Sequence, residues 1–320
     1  MAQDKIRVTF LDVGQGDCTL ITLPDNVTAI VVDCPGGREK DALEYLETAQ
    51  IRTLHIFASH TDLDHLGGIA NLAQNFDQVA MLAYNETLIP DDATYPGRRE
   101  VVLRHLAQLL ERRRDITSHS PRAGMQWSWQ GAKVVVLHPD DRDIKRLRYP
   151  EDTNNGSVVL RITFAGRSVL LTGDLGSKGW QWIIDRGGNL QADILKFPHH
   201  GAWVPRSGTR LSLSEILQQI APSLVVLSLG SHNAYGHPKL ETLKLLRTFA
   251  KLRIMCTEAT SKCHAVLAHT SANIPCAGNV EIEISNSGIV ATPSKSEHRK
   301  VIKGFDDPQC QPKRHIRRGR

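Results

Sequence analysis

Short runs rich in Val, Ile and Leu recur at residues 6–11, 18–23, 28–32, 53–57, 78–82, 132–137, 157–164, 168–172, 192–196, 223–228, 252–255, 264–268 and 280–285, bounded by Gly, Pro, Asn and Asp. Such runs between turn formers predict strands. Between them, residues 39–50, 66–75, 98–114, 177–186, 212–220 and 238–250 space their apolar positions as helices do. In 98–114, Val102, Leu103, Leu106, Leu109 and Leu110 share one face. Early strands follow one another through tight turns such as Pro24-Asp25-Asn26, and later ones across helices. The sheets should therefore be mixed, in an α/β or α+β fold with at least two sheets.

Composition narrows the class. With 320 residues, 41% hydrophobic and 23% charged, the chain is globular, which excludes wholesale disorder, collagen and coiled coil. No apolar run approaches the roughly twenty residues that span a bilayer. The start, MAQDKIRVTF, carries Asp4 and enters a strand pattern without a leader's apolar core. A cytoplasmic protein with no membrane partner is expected. Six cysteines are scattered along the chain and read as reduced, buried thiols. Cys256, Cys263, His264 and Cys276 could hold a structural zinc but lack close Cys-x-x-Cys pairs, so the core reading is preferred.

The net charge is +5, and residues 293–320 alone carry a balance of +6. The expected organisation is a near-neutral folded domain over 1–292 followed by a basic, disordered tail over 293–320. Further basic groups, Arg98, Arg99, Arg104, Arg112, Arg113 and Arg114, lie on the 98–114 helix, and Lys145, Arg146 and Arg148 in a following loop. Helix and tail together make nucleic acid a candidate partner, although an Arg-bearing helix face is more often simply solvated.

The densest chemical signal is ASHTDLDHLGG at 58–68, where His60, Asp62, Asp64 and His65 fall within six residues. Two imidazoles and two carboxylates in one loop need a cation between them; the alternative is a solvated loop with a helix-capping Asp. Three further strands end in comparable tips. LLTGDL at 170–175 carries Asp174, ADILKFPHHG at 192–201 carries His199 and His200, and LVVLSLGSHNAYGHP at 224–238 carries Ser231, His232, Asn233 and His237. Ligands of α/β folds gather at such strand ends.

With FLDVGQGD at 10–17, VVDCPGG at 31–37 and NNGSVVL at 154–160, these motifs run in order over about residues 5–270. The chain resembles the metallo-β-lactamase superfamily, and within it the soluble metallo-β-lactamase-like domain of ComEC-type DNA-uptake proteins. The resemblance implies a four-layer αββα sandwich with a site for two divalent ions, Zn²⁺ or Mn²⁺. It assigns His60 and Asp62 to a first ion, Asp64 and His65 to a second, and Asp174 to both. His199 or His200 completes the second site. A histidine that many relatives place before the Gly-Asp strand is missing, with Asn154, Asn155 and Ser157 near its position. Ala202 and Pro35 also depart from the usual serine and glycine.

Two close cations lower the pKa of a shared water and neutralise charge on a phosphoryl group, which favours phosphodiester hydrolysis. Asp64, His200 and His237 are the expected catalytic groups, the histidines as acids toward the leaving oxygen. Asp12 and Asp33 are expected to orient ligands or, equally, to be turn residues, and Asn233 to support the site or touch substrate. Gln15, Gly16 and Asp17 form a turn at the rim. His55, His105, His138 and His269 match no motif and read as structural or surface histidines. The favoured activity is a nuclease or phosphodiesterase. The alternatives are a hydrolase of small phosphodiesters or esters and a non-catalytic metal-binding assembly protein. Trp180, Trp182 and Trp203 could line a pocket or pack internally.

Overall fold

The computed structural model describes residues 4–85, 98–147, 153–202 and 210–311. In chain order the elements are β1 (Lys5–Phe10), β2 (Thr19–Thr22), β3 (Thr28–Val32), α1 (Glu39–Thr48), β4 (Thr53–Phe57), α2 (Leu63–Leu66), α3 (Ile69–Gln74), β5 (Gln78–Ala83), α4 (Arg98–Arg112), β6 (Thr117–His119), β7 (Gln126–Trp129), β8 (Ala132–His138) and α5 (Asp141–Arg146). They continue with β9 (Val159–Phe164), β10 (Arg167–Leu171), α6 (Ser177–Asp185), β11 (Ile194–Lys196), α7 (Leu213–Ile220), β12 (Leu224–Leu227), α8 (Leu240–Leu246), β13 (Arg253–Cys256), β14 (Val280–Ser285), β15 (Gly288–Thr292) and α9 (Lys295–Ile302).

One sheet has the order β15-β14-β1-β2-β3-β4-β5-β6 and the other β13-β12-β11-β10-β9-β8-β7. In the first, pairing is antiparallel up to β3 and parallel from β3 to β6. In the second it is antiparallel from β7 to β10 and parallel from β10 to β13. Each is mixed for the expected reason: short connections join most of the antiparallel strands, β1/β14 and β8/β9 excepted, while parallel neighbours need helical crossovers, supplied by α1, α3 and α4 on one side and α6, α7 and α8 on the other.

Alternation of side chains divides the core into three. Val8, Phe10, Ile30 and Phe57 of the first sheet meet Val134, Leu160, Val169, Ile194 and Val226 of the second between the sheets. Their neighbours point outward. Leu20, Val31 and Ile56 pack under Leu46, Leu72 and Leu106, and Leu170, Leu195 and Val225 under Trp180, Leu217 and Leu246. The layers are helix, sheet, sheet, helix, as expected. No described helix is long and apolar enough to cross a membrane.

Several local expectations need correction. Residues 264–268 form a 3-10 turn at Ala265–Ala268 instead of a strand, because only Leu267 of them is buried. The helix expected over 66–75 is split at Gly67-Gly68 into α2 and α3. A Cβ on Gly68 would lie 2.5 Å from the Pro35 carbonyl, so glycine is what lets this turn press against the 34–36 loop. Lys145 and Arg146 sit on α5, started by an Asp140/Asp143 capping box, and not in a loop; Arg148 lies outside the described residues. The strands β6, β7 and β15 are mostly exposed and too weakly alternating to read.

The largest correction concerns the tail. Ser294 and Glu297 form a reciprocal capping box that starts α9, whose His298 and Ile302 are buried. Gln309 and Cys310 are buried as well. Charge averaged over 293–320 hides one short amphipathic helix and its anchor. Residues 312–320 lie outside the described residues.

Candidate metal centre

The chemistry-bearing residues lie where the parallel strands of both sheets end. Asp33 follows β3, the 58–65 loop follows β4, Asp174 follows β10, His199 and His200 follow β11, and 228–237 follows β12. The backbone here is held in uncommon conformations. Asp33, His199 and His200 have φ of 64°, 50° and 51°, a left-handed region that costs a side-chain-bearing residue about 1–3 kcal/mol. Gly173, at φ 48°, passes so close to Ser59 that a Cβ would come within 2.7 Å of it.

Asp174 is the centre. Its Oδ1 is 3.1 Å from His65 Nε2 and 3.8 Å from His200 Nε2, while Oδ2 is 3.9 Å from His60 Nε2 and 3.7 Å from His199 Nε2. Asp62 Oδ2 lies 3.6 Å from His60 Nε2, and Asp64 Oδ2 lies 3.4 Å from His200 Nε2. The carboxylate thus presents one oxygen to each of two groups. These are His60 and His199 with Asp62 beyond, and His65 and His200 with Asp64 beyond. His60, His65 and Asp174 have ligand atoms within 4.8 Å of one another, and so do Asp64, His65 and His200.

Behind the donors stands a supporting layer. Asp33 accepts from the Ser59 amide at 2.7 Å, the Ser59 hydroxyl at 2.7 Å and His65 Nδ1 at 2.8 Å, which turns Nε2 of His65 toward Asp174. His200 Nδ1 donates to the Ser228 carbonyl at 2.8 Å, turning its Nε2 in the same way. The Ser157 hydroxyl accepts from the Asp174 amide at 3.2 Å. Hydrogen bonds of this kind fix a ligating histidine's tautomer and aim.

The fit to cations follows from two observations. His60 Nε2, His65 Nε2, His200 Nε2 and Asp174 Oδ1 are buried and have no hydrogen-bond partner, although buried polar atoms are normally paired. The cluster also demands positive charge. Burial opposes charging His65, but Asp174, Asp33 and Asp17 outweigh it and push its pKa well up. Burial likewise opposes ionisation of Asp174, and the surrounding histidines still hold it well below the usual carboxylate range. Residues that converge unpaired nitrogens on shared carboxylates fit divalent metal ions.

Other expected residues fall at various distances from this centre. His200, 1% exposed, belongs to the second group, which resolves the His199/His200 alternative in geometry. With Nδ1 bonded to Ser228 and Nε2 buried among carboxylates, His200 is ill placed to serve as a leaving-group acid. His237 stands at the mouth, its ring 5.4 Å from that of His199. Its backbone amide donates to Asn233 Oδ1 at 2.6 Å, and Asn233 in turn donates to the carbonyls of Gly230 and His237. Asn233 therefore ties the loop that carries His237. Burial first, then the neighbouring His199 and His200, pushes the His237 pKa down to about 4.

Asn155 does not stand in for the missing histidine. Its side-chain oxygen accepts from the Gly179 amide at 3.2 Å, serving the start of α6. Asn154 is half-buried in a 3-10 turn over Thr153–Gly156, where its carbonyl accepts from the Ser157 amide at 3.2 Å. Asp12 takes its amide to Asn279 and faces Glu258. Burial and that second carboxylate raise its pKa to about 7. It shapes the 12–16 turn and orients no donor of the cluster. Trp180 is buried under α6 and Trp182 stacks on His138, so both pack internally; Trp203 lies outside the described residues.

Two residues of the centre escaped the sequence reading. Asp17, placed there at the rim, is buried, with its oxygens 3.7 Å from His65 Nδ1 and 3.6 Å from His200 Nδ1. Lys196, the last residue of β11, is buried and ion-paired to it. The FLDVGQGD motif marked Asp17; no local signal marked its partner.

The model of the metallo-β-lactamase superfamily matches residues 11–226. The chain belongs to that superfamily. By family and by its intact His/Asp clusters it is a metal-dependent hydrolase. Among similar proteins are the competence protein ComA of Neisseria gonorrhoeae, 28% identical over 77% of this chain, and ComE operon protein 3 of Bacillus subtilis, 27% identical over 79%. Recombination protein 2 of Haemophilus influenzae is 28% identical over 76%. The expected ComEC-type likeness is thus present, but the chain spans only 31%, 32% and 26% of those proteins. A solved metal-dependent hydrolase of the β-lactamase superfamily, Tm1679, shares the fold at TM-score 0.50 with 12% identity, covering 79% of this chain and 95% of that one.

Proposed function

We propose that the chain is a dinuclear phosphodiesterase acting on nucleic acid. The observation that carries this reading is the carboxylate-rich donor set, in which Asp62, Asp64 and Asp174 join His60, His65, His199 and His200. Asp62, His60, His199 and one oxygen of Asp174 would hold one ion, and Asp64, His65, His200 and the other oxygen a second. Such ions, Zn²⁺ or Mn²⁺, supply an activated water and charge neutralisation at a phosphoryl group. The chain's own residues do the rest. Asp33 and Ser228 aim the histidines, Ser157 holds Asp174, and Asn233 holds His237 where a leaving group would depart.

The surroundings support a nucleotide substrate. A cleft beside Asp64 is lined by Gln15, Pro35, Leu63, Val101 and Val102, so α4 forms one of its walls. That helix carries the exposed Arg112, and an exposed Arg104 that is paired with Glu100 at 2.5 Å. Arg113 does not count toward binding, since it bonds Asp115 and the carbonyls of Ala73, Phe76 and Asp77. At the other side Tyr235 is 66% exposed and stacked on His237, a platform for a base. The names of relatives, a competence protein and a recombination protein, point the same way.

The test is incubation of Mn²⁺- or Zn²⁺-loaded protein with single- and double-stranded DNA and RNA, beside a chromogenic phosphodiester. Cleavage of a polymer supports the reading, and turnover of the small ester alone sinks it. That second outcome would favour a hydrolase of small phosphodiesters, the reading favoured by one observation: Tyr235 is the one aromatic among the large, exposed apolar residues described, a single platform and not a track. Removing residues 312–320, which contain Lys313, Arg314, Arg317, Arg318 and Arg320, should weaken nucleic-acid binding and flatten its salt dependence. Hydrolysis of the small ester should survive that cut. Truncation at 293 is a poor test, because it would also remove α9.

A further inference from the structure

A second cluster of ligand-type side chains lies beneath α9. Cys256, Cys263, Cys276 and Cys310 are all buried in the apolar layer outside the second sheet, which also contains Leu267 and Ile302. Cys256 ends β13, and Cys276 precedes β14 with its amide bonded to the Thr257 carbonyl at 2.9 Å. His298 is 2% exposed in the middle of α9. Cys310 follows Gln309, whose side chain accepts from Arg247 at 2.6 Å. Distant parts of the chain are thus brought to one point.

His298 Nε2 is 3.3 Å from Cys276 Sγ and 3.8 Å from Cys310 Sγ, and the three ligand atoms lie within 4.8 Å of one another. An imidazole nitrogen serves one hydrogen-bond partner well, so the second sulfur is left to its fellow thiol, a weak contact that a metal ion would replace with two strong bonds. Tetrahedral zinc, with Zn–S about 2.3 Å and Zn–N about 2.0–2.1 Å, would set sulfur and nitrogen about 3.5 Å apart. The two observed separations bracket that spacing. Cys256 and Cys263, 6% and 8% exposed in the same layer, are the nearest source of another thiolate.

We infer that Cys276, His298 and Cys310, with Cys256 or Cys263 as a fourth donor, hold a structural zinc ion that fastens the C-terminal helix to the second sheet. This site is separate from the His/Asp centre and shares no residue with it. It also differs from the zinc combination visible in the sequence, since His264 bonds Asp306 at 3.0 Å and is replaced by a histidine from the supposed tail. Four donors from four stretches of chain close loops that β-sheet pairing alone leaves open, and metal binding of this kind is folding free energy.

Cobalt tests the assignment, because thiolate-to-cobalt charge transfer in the near ultraviolet needs sulfur donors, which the His/Asp centre lacks. The full chain, stripped by chelator and loaded with excess Co²⁺, should develop that band at the intensity of about one thiolate-bound cobalt per chain, with or without Asp174→Ala. Cys310→Ser and His298→Ala should reduce it several-fold or abolish it. Should those variants fail to fold, treating the zinc-loaded wild-type chain with a mercurial must release about one equivalent of zinc to a chromogenic chelator as the thiols react. Three results would overturn the inference: a folded, cobalt-loaded wild-type chain without the band, a band unchanged in Cys310→Ser, or a disulfide that peptide mass mapping places on Cys276 or Cys310.

Discussion

On one side of Asp174, His65 and His200 are each locked by a hydrogen bond from the ring nitrogen that faces away, and both are essentially buried. On the other side His60 is equally buried, with Nδ1 3.0 Å from the Ser59 hydroxyl, but His199 is 36% exposed; the outlying carboxylates Asp62 and Asp64 are alike, at 26% and 31%. The inner half has a rigid frame: Asp33 is bound by three donors and sits in a left-handed conformation that its neighbours enforce. The outer half opens toward His237 and Tyr235. On the proposed reading the difference separates two tasks: a pre-aimed inner group would keep an ion, and an accessible outer group would meet solvent and substrate.

Replacing the residue that joins the halves should have the largest effect. Asp174→Ala is expected to lower hydrolysis by at least about 10²–10³-fold and to weaken both ions, as read by turnover and by metal content after dialysis. Loss of a single ion with the other unaffected would show that Asp174 does not join the two groups. Next in size, Asp33→Asn should weaken the inner ion about 10–100-fold, because an amide NH₂ would face the Ser59 or His65 donors. Competition with a graded chelator measures this. His199→Ala should act on the outer ion alone and by less, and equal weakening of both ions would erase the distinction between the halves. His237→Ala should slow turnover while leaving metal content unchanged.

The contrast between halves was only partly legible in the sequence. The donors themselves were readable because each lies in a local motif: four in the 59–68 loop, Asp174 in its Gly-Asp turn and the histidine pair before Gly201. Their support was less so, since it comes from pairings across the chain. Lys196 meets Asp17 at the other end of the sequence, and nothing in either segment announces a buried ion pair. The choice between His199 and His200 turned on backbone conformation, which places one ring inside and its neighbour at the mouth. Asn155 misled because proximity in sequence to the Gly-Asp strand does not fix direction; its amide serves α6. The C-terminal segment misled for the opposite reason, its few buried residues being outnumbered by charges.

A buried histidine outside the centre sharpens what carboxylates do for His65. His55, on β4 only five residues before His60, stacks on Trp129 with ring centroids 4.1 Å apart, and its Nδ1 has no partner. Burial acts on both rings, but His55 has no carboxylate to oppose it, so its pKa falls from 6.5 to about 4 while that of His65 rises. The sign of the consequence is definite. Between those values the unfolded chain binds the proton more readily, so His55 leaves stability intact above pH 6.5 and withdraws it as pH falls toward 4. His55→Phe keeps the stacking and removes the titration, so urea midpoints of wild type and variant should diverge across this window, with turnover at neutral pH unchanged. Parallel acid profiles would mean that the ring takes up its proton in the folded state as easily as in the unfolded one.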